Sequence, residues 1–161
     1  MGRSAAGDDA VMGNRTDRRT RLEELDRDEC VRRLAHSSLG RLGVVVNGRP
    51  LVFPVNFTLD GEAVVFRTDE GTKVHAARNG PVAFECDGID AMYHVGWSVL
   101  LLGEAEEVRN PVEVARLERL PLGPWCPGPK PIWLRLRARS ITGRRIPPPG
   151  DTLSEEELRC P

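Results

Sequence analysis

A strand ends and a helix begins within one short segment, Ala63-Val64-Val65-Phe66-Arg67-Thr68-Asp69-Glu70-Gly71-Thr72-Lys73. Its first four residues are typical of a strand, and residues 74–78 after it are typical of a short helix that ends before Asn79-Gly80. The first turn of a helix has backbone N–H groups without intrahelical partners and carries the positive end of the dipole. With Arg67 and Lys73 added, the segment predicts a phosphate site. The alternative is a strand end, a helix cap at Thr72 and two solvated cations.

The composition is that of one soluble globular domain. The chain has 161 residues, of which 40% are hydrophobic and 29% charged, enough for a sizeable core. Its formal net charge of -1 excludes bulk electrostatic attraction to nucleic acid or to an anionic membrane. Neither nucleic acid nor a membrane is therefore expected as a partner.

Neither a membrane span nor a secretion signal is expected from the sequence. No apolar run approaches the roughly 20 residues that cross a bilayer, and residues 1–21 are polar and rich in Arg. The four cysteines (Cys30, Cys86, Cys126 and Cys160) are widely spaced, which favours structural thiols over a metal site or a disulfide framework. These features predict a cytoplasmic protein without a metal centre.

Both ends of the chain are expected to be tails around one domain. Residues 1–20 are rich in Gly, Ser, Asp and Arg and predict a disordered tail. Residues 147–161 form a second tail, with one helical turn at 154–158. Between them, in residues 21–146, Asp26 is the expected N-cap of a first helix, with Glu29 three residues later as in a capping box.

Hairpin signals and alternation predict a mainly β protein. Asn47-Gly48 and Asp60-Gly61 are strong two-residue turn signals, and a third helix over 111–120 is followed by an irregular proline-rich loop over 121–131. The predicted strands cover 39–46, 51–59, 63–68, 82–86, 94–108 and 132–146. Six strands linked mostly by hairpins predict an antiparallel β-barrel with a few short helices.

The last strand places three arginines on one face. Arg135, Arg137 and Arg139 alternate with apolar residues, and such a row needs carboxylates, solvent or an anionic ligand. One possibility is cross-strand pairing with Glu104 and Glu106. The other is that an arginine reaches a cofactor phosphate or tail.

Several short motifs in a fixed order resemble a known family. They are Gly40-Arg41-Leu42-Gly43, Gly48-Arg49-Pro50, Phe53-Pro54-Val55-Asn56-Phe57, Val65-Phe66-Arg67-Thr68, Glu70-Gly71-Thr72-Lys73, Val82-Ala83-Phe84-Glu85, Gly96-Trp97-Ser98-Val99 and Gly103-Glu104-Ala105. Together, over residues 22–146, they resemble the pyridoxamine 5′-phosphate oxidase-like proteins of the flavin-binding split-barrel superfamily. The branch that they resemble includes nitroimidazole-resistance proteins.

The resemblance implies a six-stranded split barrel that dimerises, with FMN at the subunit interface. It implies that Arg67, Thr68 and Lys73, beside Thr72, hold the FMN phosphate. The strand Pro54-Val55-Asn56-Phe57 would lie along the edge of the isoalloxazine ring. Trp97 and Ser98 would approach the same pocket from the facing part of the dimer; alternatively, Trp97 is a core aromatic residue.

The chain departs from true pyridoxamine phosphate oxidases at its last strand. Those enzymes resemble one another in a C-terminal Arg and His that bind the substrate phosphate, whereas residues 139–145 contain no His. Of the histidines, His75 lies one turn after Thr72, near the flavin or on a solvated face. His94 could ligate haem, as in some relatives, but no second ligand supports it.

The resulting expectation is an FMN-binding oxidoreductase that moves hydride or electrons to or from a small organic molecule. The flavin would carry the chemistry, and no catalytic acid or base is identified. One alternative is a deazaflavin-dependent reductase of the same fold, whose anionic cofactor tail would suit the arginine row. The other is a flavin or haem carrier or sensor without turnover.

Overall fold

The computed structural model describes residues 16–17, 22–123 and 125–148. Within these ranges the chain forms nine strands and three helices. In chain order they are β1 (Thr16–Asp17), β2 (Leu22–Leu25), α1 (Arg27–Ala35), β3 (Leu39–Val46), β4 (Arg49–Asn56), β5 (Thr58–Asp60), β6 (Ala63–Thr68), α2 (Thr72–Arg78), β7 (Pro81–Asp90), β8 (Val95–Glu107), α3 (Pro111–Leu117) and β9 (Ile132–Ile146).

The strands form one curled antiparallel sheet in the order β1-β2-β9-β8-β7-β3-β4, with β5 and β6 off this path. The long strand β9 organises the sheet. One edge of β9 pairs with β8 over nearly its whole length, while its other edge pairs with β6 in the first half and with β2 near the end. This division of one edge between two partners produces the mainly β split barrel with short helices that the sequence predicts.

Three predicted strands (39–46, 63–68 and 132–146) match β3, β6 and β9 residue for residue. The predicted strand over 51–59 is instead two, because the chain leaves the ladder at Phe57, whose backbone N–H donates to the Ser38 carbonyl at 3.1 Å. Strand β7 extends four residues beyond the prediction, because residues 87–90 pair with residues 95–98 of β8. The predicted helix over 111–120 ends at Leu117.

The ends of the chain lie mostly outside the described residues. Of the tail predicted over 1–20, only Thr16–Asp17 is described, and it forms β1, paired with the unpredicted strand β2. Of the tail over 147–161, Pro147 and Pro148 have no regular structure, and the helical turn predicted over 154–158 lies outside the described residues.

Helix α1 begins where the sequence predicts. The Asp26 carboxylate accepts a hydrogen bond from the Glu29 backbone N–H at 2.7 Å, which satisfies one donor of the first turn. The Glu29 side chain does not return to the cap. It forms ion pairs with Arg32 and Arg33 on the next turn.

Apolar residues cover both faces of the sheet where β6 and β9 pair. Phe66 and Leu134 point into the main core, which also holds Phe57 and Phe84, whose rings meet edge to face at 4.9 Å. On the other face, Val65, Val108, Leu117 and Trp133 form a second cluster under α3. The end of β6 therefore emerges from a framework that is packed on two sides.

The arginine row on β9 is paired with carboxylates. Arg135 is buried, and its guanidinium lies 3.2 Å from Asp60 and 3.3 Å from Glu106. Arg137 binds Glu106 at 2.9 Å, and Arg139 pairs with Glu104. The cross-strand pairing considered for the sequence is thus the arrangement that forms, with Asp60 as an additional partner.

None of the three helices of the described ranges combines the length and the apolar character needed to cross a membrane.

Candidate functional site

The end of β4, the end of β6, the start of α2 and the loop after α3 surround one cavity of about 220 Å³. We call it the cationic cavity. Its lining residues are Pro54, Val55, Asn56, Arg67, Thr68, Lys73, Leu122, Cys126 and Lys130. Six of the ten predicted cofactor-binding residues are among them.

Arg67 is held by two contacts. It pairs with Trp133 in the β6–β9 ladder, and its guanidinium lies 5.4 Å from the Trp133 ring centroid. Its Nε donates to the Lys130 carbonyl at 2.9 Å. No carboxylate of the described residues pairs with Arg67, so its terminal nitrogens keep donors for an anion.

Lys73 is a half-buried cation in the first turn of α2. Burial lowers the pKa of its ammonium group, Asp69 opposes this shift, and the charge of Lys130 adds to it. Its Nζ lies 5.9 Å from the centroid of the Phe53 ring. Among the residues that the structure describes, no carboxylate forms an ion pair with Lys73. An anionic ligand would therefore supply the counter-charge that the described residues do not give to Lys73.

Lys130 is the cavity cation that sequence reasoning missed. Its Nζ lies 2.8 Å from Asp69 Oδ2, and this contact raises the pKa of Lys130 and lowers that of Asp69. One signal was present, because Lys73 and Lys130 are the only two lysines among 161 residues. The proline-rich loop has no periodicity from which its docking position could be predicted.

The two predicted threonines differ in position. Thr68 is 1% exposed and lines the cavity, where its hydroxyl donates to the Asp69 carbonyl at 3.2 Å. Thr72 does not line the cavity. The N-cap of α2 is Gly71, without a side-chain bond, so the predicted cap at Thr72 is wrong by one residue. Because α2 has only seven residues, the cations rather than the helix dipole define this site.

Of the four predicted residues from Pro54 to Phe57, the first three line the cavity and the last does not. Pro54, Val55 and Asn56 form one wall of the cavity, and Asn56 Oδ1 accepts a hydrogen bond from the Trp125 backbone N–H at 3.1 Å. Phe57 is buried in the core and does not line the cavity. Asn56 therefore holds the proline-rich loop, while Phe57 supports the wall from behind.

Trp97 and Ser98 line a different and more open pocket, of about 730 Å³, which shares no lining residue with the cationic cavity. Arg33 lies over the Trp97 ring at 5.4 Å. His94 lines the same pocket, whereas His75 is exposed on α2. Six of the ten predicted residues therefore line the cationic cavity, Trp97 and Ser98 line this second pocket, and Thr72 and Phe57 line neither.

No cluster of three or more His, Cys, Asp or Glu side chains suited to a metal ion occurs in residues 16–17, 22–123 and 125–148.

A family model described as pyridoxamine 5′-phosphate oxidase matches residues 26–145. The chain belongs to this family, which confirms the resemblance drawn from its motifs. An uncharacterised protein of Mycobacterium tuberculosis, Rv0080, is 36% identical over 129 residues, which are 76% of this chain and 84% of the relative.

The solved structures that are similar in fold include two FAD-binding proteins. The FAD-binding protein from Mycobacterium smegmatis is 41% identical, with a TM-score of 0.68 over 76% of this chain and 96% of that protein. An FAD-binding protein from Mesorhizobium loti has a TM-score of 0.65 at 21% identity, over 77% of this chain and 97% of that protein. The second likeness bears on the fold alone.

Proposed function

We propose that this protein is a flavin-dependent oxidoreductase that binds the phosphate of a flavin nucleotide in the cationic cavity. The observation that carries the proposal is the convergence of Arg67, Lys73 and Lys130 on one small cavity. It is supported by the family of the chain and by its 41% identity to an FAD-binding protein.

The donor set fits a phosphate. Three cations and one carboxylate, Asp69, leave a positive balance around the cavity, and both Arg and Lys donate charge-assisted hydrogen bonds to phosphate oxygens. Arg67 offers a planar fork of donors, whereas Lys73 acts as a point charge that has no carboxylate partner among the described residues. Both side chains emerge from rigid elements, so the cavity needs little rearrangement to bind an anion.

A bound flavin would supply hydride or electron transfer to or from a small organic molecule. In this proposal the cations fix the phosphorylated end. The backbone groups of Pro54, Val55 and Asn56 then border the ring system, and the loop held by Asn56 limits access of water from that side. No side chain of the cavity is assigned as an acid or base.

FMN is the smallest nucleotide that provides the phosphate, and it is our first choice. FAD is the second candidate, favoured by the description of the Mycobacterium smegmatis relative. The deazaflavin alternative depended on the arginine row of β9 as a site for the anionic cofactor tail. Those arginines already form ion pairs with Glu104, Glu106 and Asp60. A carrier or sensor without turnover is the alternative from a different functional class.

We also propose that the protein is a homodimer. Leu102, Ala83, Gly43 and Val52 are consecutive register partners across β8, β7, β3 and β4, so they share one outer face of the sheet. Leu102 is 47% and Val52 65% exposed. A contiguous apolar row of this kind favours burial against a second copy.

Purification of the protein, followed by absorption spectroscopy and mass spectrometry of any bound chromophore, tests the proposal. We expect a flavin spectrum with the mass of FMN or FAD, and reconstitution of the apoprotein by that nucleotide. Turnover of the reduced flavin with a panel of organic acceptors separates an enzyme from a carrier. An apoprotein that binds no flavin would contradict the proposal.

A further inference from the structure

Lys130 and Asp69 form an unequal pair at the edge of the cationic cavity. The Lys130 side chain is 14% exposed, whereas that of Asp69 is 61% exposed. The lysine side chain thus lies mostly within the cavity wall, whereas its carboxylate partner lies largely in solvent. Exposed carboxylates contribute weakly to ion pairs, so Asp69 is a replaceable partner.

The backbone of Lys130 connects this ion pair to Arg67, the cavity cation that two contacts hold in place. Its carbonyl accepts the Arg67 Nε hydrogen bond, while its Nζ reaches Asp69, two residues further along the chain from Arg67. Lys130 is therefore positioned by Arg67 through its main chain, and its ammonium group needs only side-chain rotation to change partners.

We propose that Lys130 exchanges Asp69 for the ligand phosphate, so that Asp69 competes with phosphate and sets the selectivity for phosphorylated flavin. This inference depends on the proposed function, because it assigns a role within the same site. The exchange is favourable because a phosphate offers Lys130 more negative charge than one carboxylate does. Release of Asp69 to solvent costs little at its exposure.

Glu70 provides a matched control for Asp69. It is adjacent in sequence and similarly exposed, at 66%, but it pairs with Arg78 and not with a cavity cation. Removal of the Glu70 charge changes the net charge by the same amount without freeing Lys130. The variants Asp69→Asn and Glu70→Gln therefore separate competition for Lys130 from general electrostatics.

The experiment measures dissociation constants of apoprotein for FMN and riboflavin in wild type, Asp69→Asn, Glu70→Gln, Lys130→Gln and the double variant at 69 and 130. We expect Asp69→Asn to tighten FMN binding about fivefold, with riboflavin unchanged, which is the scale of one exposed ion pair. Lys130→Gln should weaken FMN binding about tenfold or more. In the Lys130→Gln background, the gain from Asp69→Asn should fall well below its value in wild type, leaving only the weaker influence of Asp69 on Lys73.

Because the chain has only two lysines, NMR of protein carrying isotope-labelled lysine gives a second readout. The Lys130 side-chain signal, assigned with Lys130→Gln, should shift on addition of FMN and not of riboflavin. Equal gains from Asp69→Asn in both backgrounds, or no gain at all, would overturn the exchange even if wild type prefers FMN. Equal affinity of wild type for FMN and riboflavin would instead contradict the proposed phosphate site itself.

Discussion

Lys73 is the residue whose surroundings point most directly to a ligand. Its pKa is lowered chiefly by burial, and no carboxylate of the described residues forms an ion pair with it. A half-buried lysine without an ion pair loses solvation free energy, and a bound anion can offset that loss. The sequence predicts Lys73 and Arg67 in this role, since both flank the turn between β6 and α2.

We expect Lys73→Met to weaken FMN binding by on the order of 1.5–3 kcal/mol, the range for a charge-assisted hydrogen bond. Methionine retains the apolar stem, so the effect reports on the charge. Isothermal titration of the apoprotein with FMN and with riboflavin measures it. The riboflavin affinity should stay the same, and an equal loss for both ligands would place Lys73 away from the phosphate.

Arg135 has a structural role, and its variants should show this. Its side chain is 6% exposed among Asp60, Glu106 and Glu113, whereas that of Arg137 is 64% exposed. We expect Arg135→Gln to lower the free energy of unfolding by about 2 kcal/mol, because the buried guanidinium loses its charge-assisted contacts with the partly buried Asp60 and the half-exposed Glu106. Arg137→Gln should cost about 1 kcal/mol or less.

Urea denaturation of both variants measures these changes, and FMN titration accompanies it. Neither variant should alter FMN affinity once folded. Selective loss of flavin binding in Arg135→Gln would indicate instead that the arginine row of β9 contacts the ligand.

At the scale of elements, the alternation of apolar residues and the turn-forming residues predicted the strands and hairpins that such local patterns determine. Strand β3 ends before Asn47-Gly48 and β5 ends at Asp60, where positive φ angles at Asn47, Gly48 and Gly61 close the hairpins to β4 and β6. Strand β2 was missed because Leu22–Leu25 lacks β-branched residues and exists by pairing with β9. Pairing between strands that lie far apart in the sequence leaves no local sequence pattern from which the strand could be predicted.

The β8–β9 pair contains a register shift at Leu102 and Gly103. A Cβ at Gly103 would lie 2.1 Å from the Arg137 carbonyl oxygen, a backbone atom that cannot move aside. We expect Gly103→Ala to lower the free energy of unfolding by about 3 kcal/mol, at the upper end for overpacking. Thermal and urea unfolding measure this loss.

Gly43→Ala is the control for the same substitution in a strand, because its Cβ would meet nothing closer than the Ala83 Cβ at 3.4 Å. That variant should change stability by about 1 kcal/mol or less. A Gly103→Ala protein as stable as Gly43→Ala would mean that the backbone at this register shift relaxes freely.

For the whole molecule, the sequence predicted the split barrel, and most of the cavity follows from it. What it could not supply is the loop that brings Lys130, Leu122 and Cys126 to the cavity. That loop is positioned by single contacts, such as Trp125 to Asn56, rather than by a repeating pattern. The separation of Trp97 and Ser98 from the cavity likewise depends on how the sheet curls.

If the apolar row on the outer face forms a two-fold interface, light scattering at micromolar concentration should give about twice the 17.8 kDa chain mass. Leu102→Glu places a charge within the row and should yield monomers, while Arg139→Glu on the neighbouring strand serves as an exposed control. A wild-type monomer that still binds flavin would contradict an interfacial site.

We propose above all that the cationic cavity binds the phosphate of a flavin nucleotide. The most direct measurement is the affinity of wild-type apoprotein for FMN and FAD relative to riboflavin under one set of conditions. We expect at least one nucleotide to bind tighter than riboflavin by about tenfold or more, because a phosphate accepts charge-assisted hydrogen bonds. Equal affinity for all three ligands would contradict it.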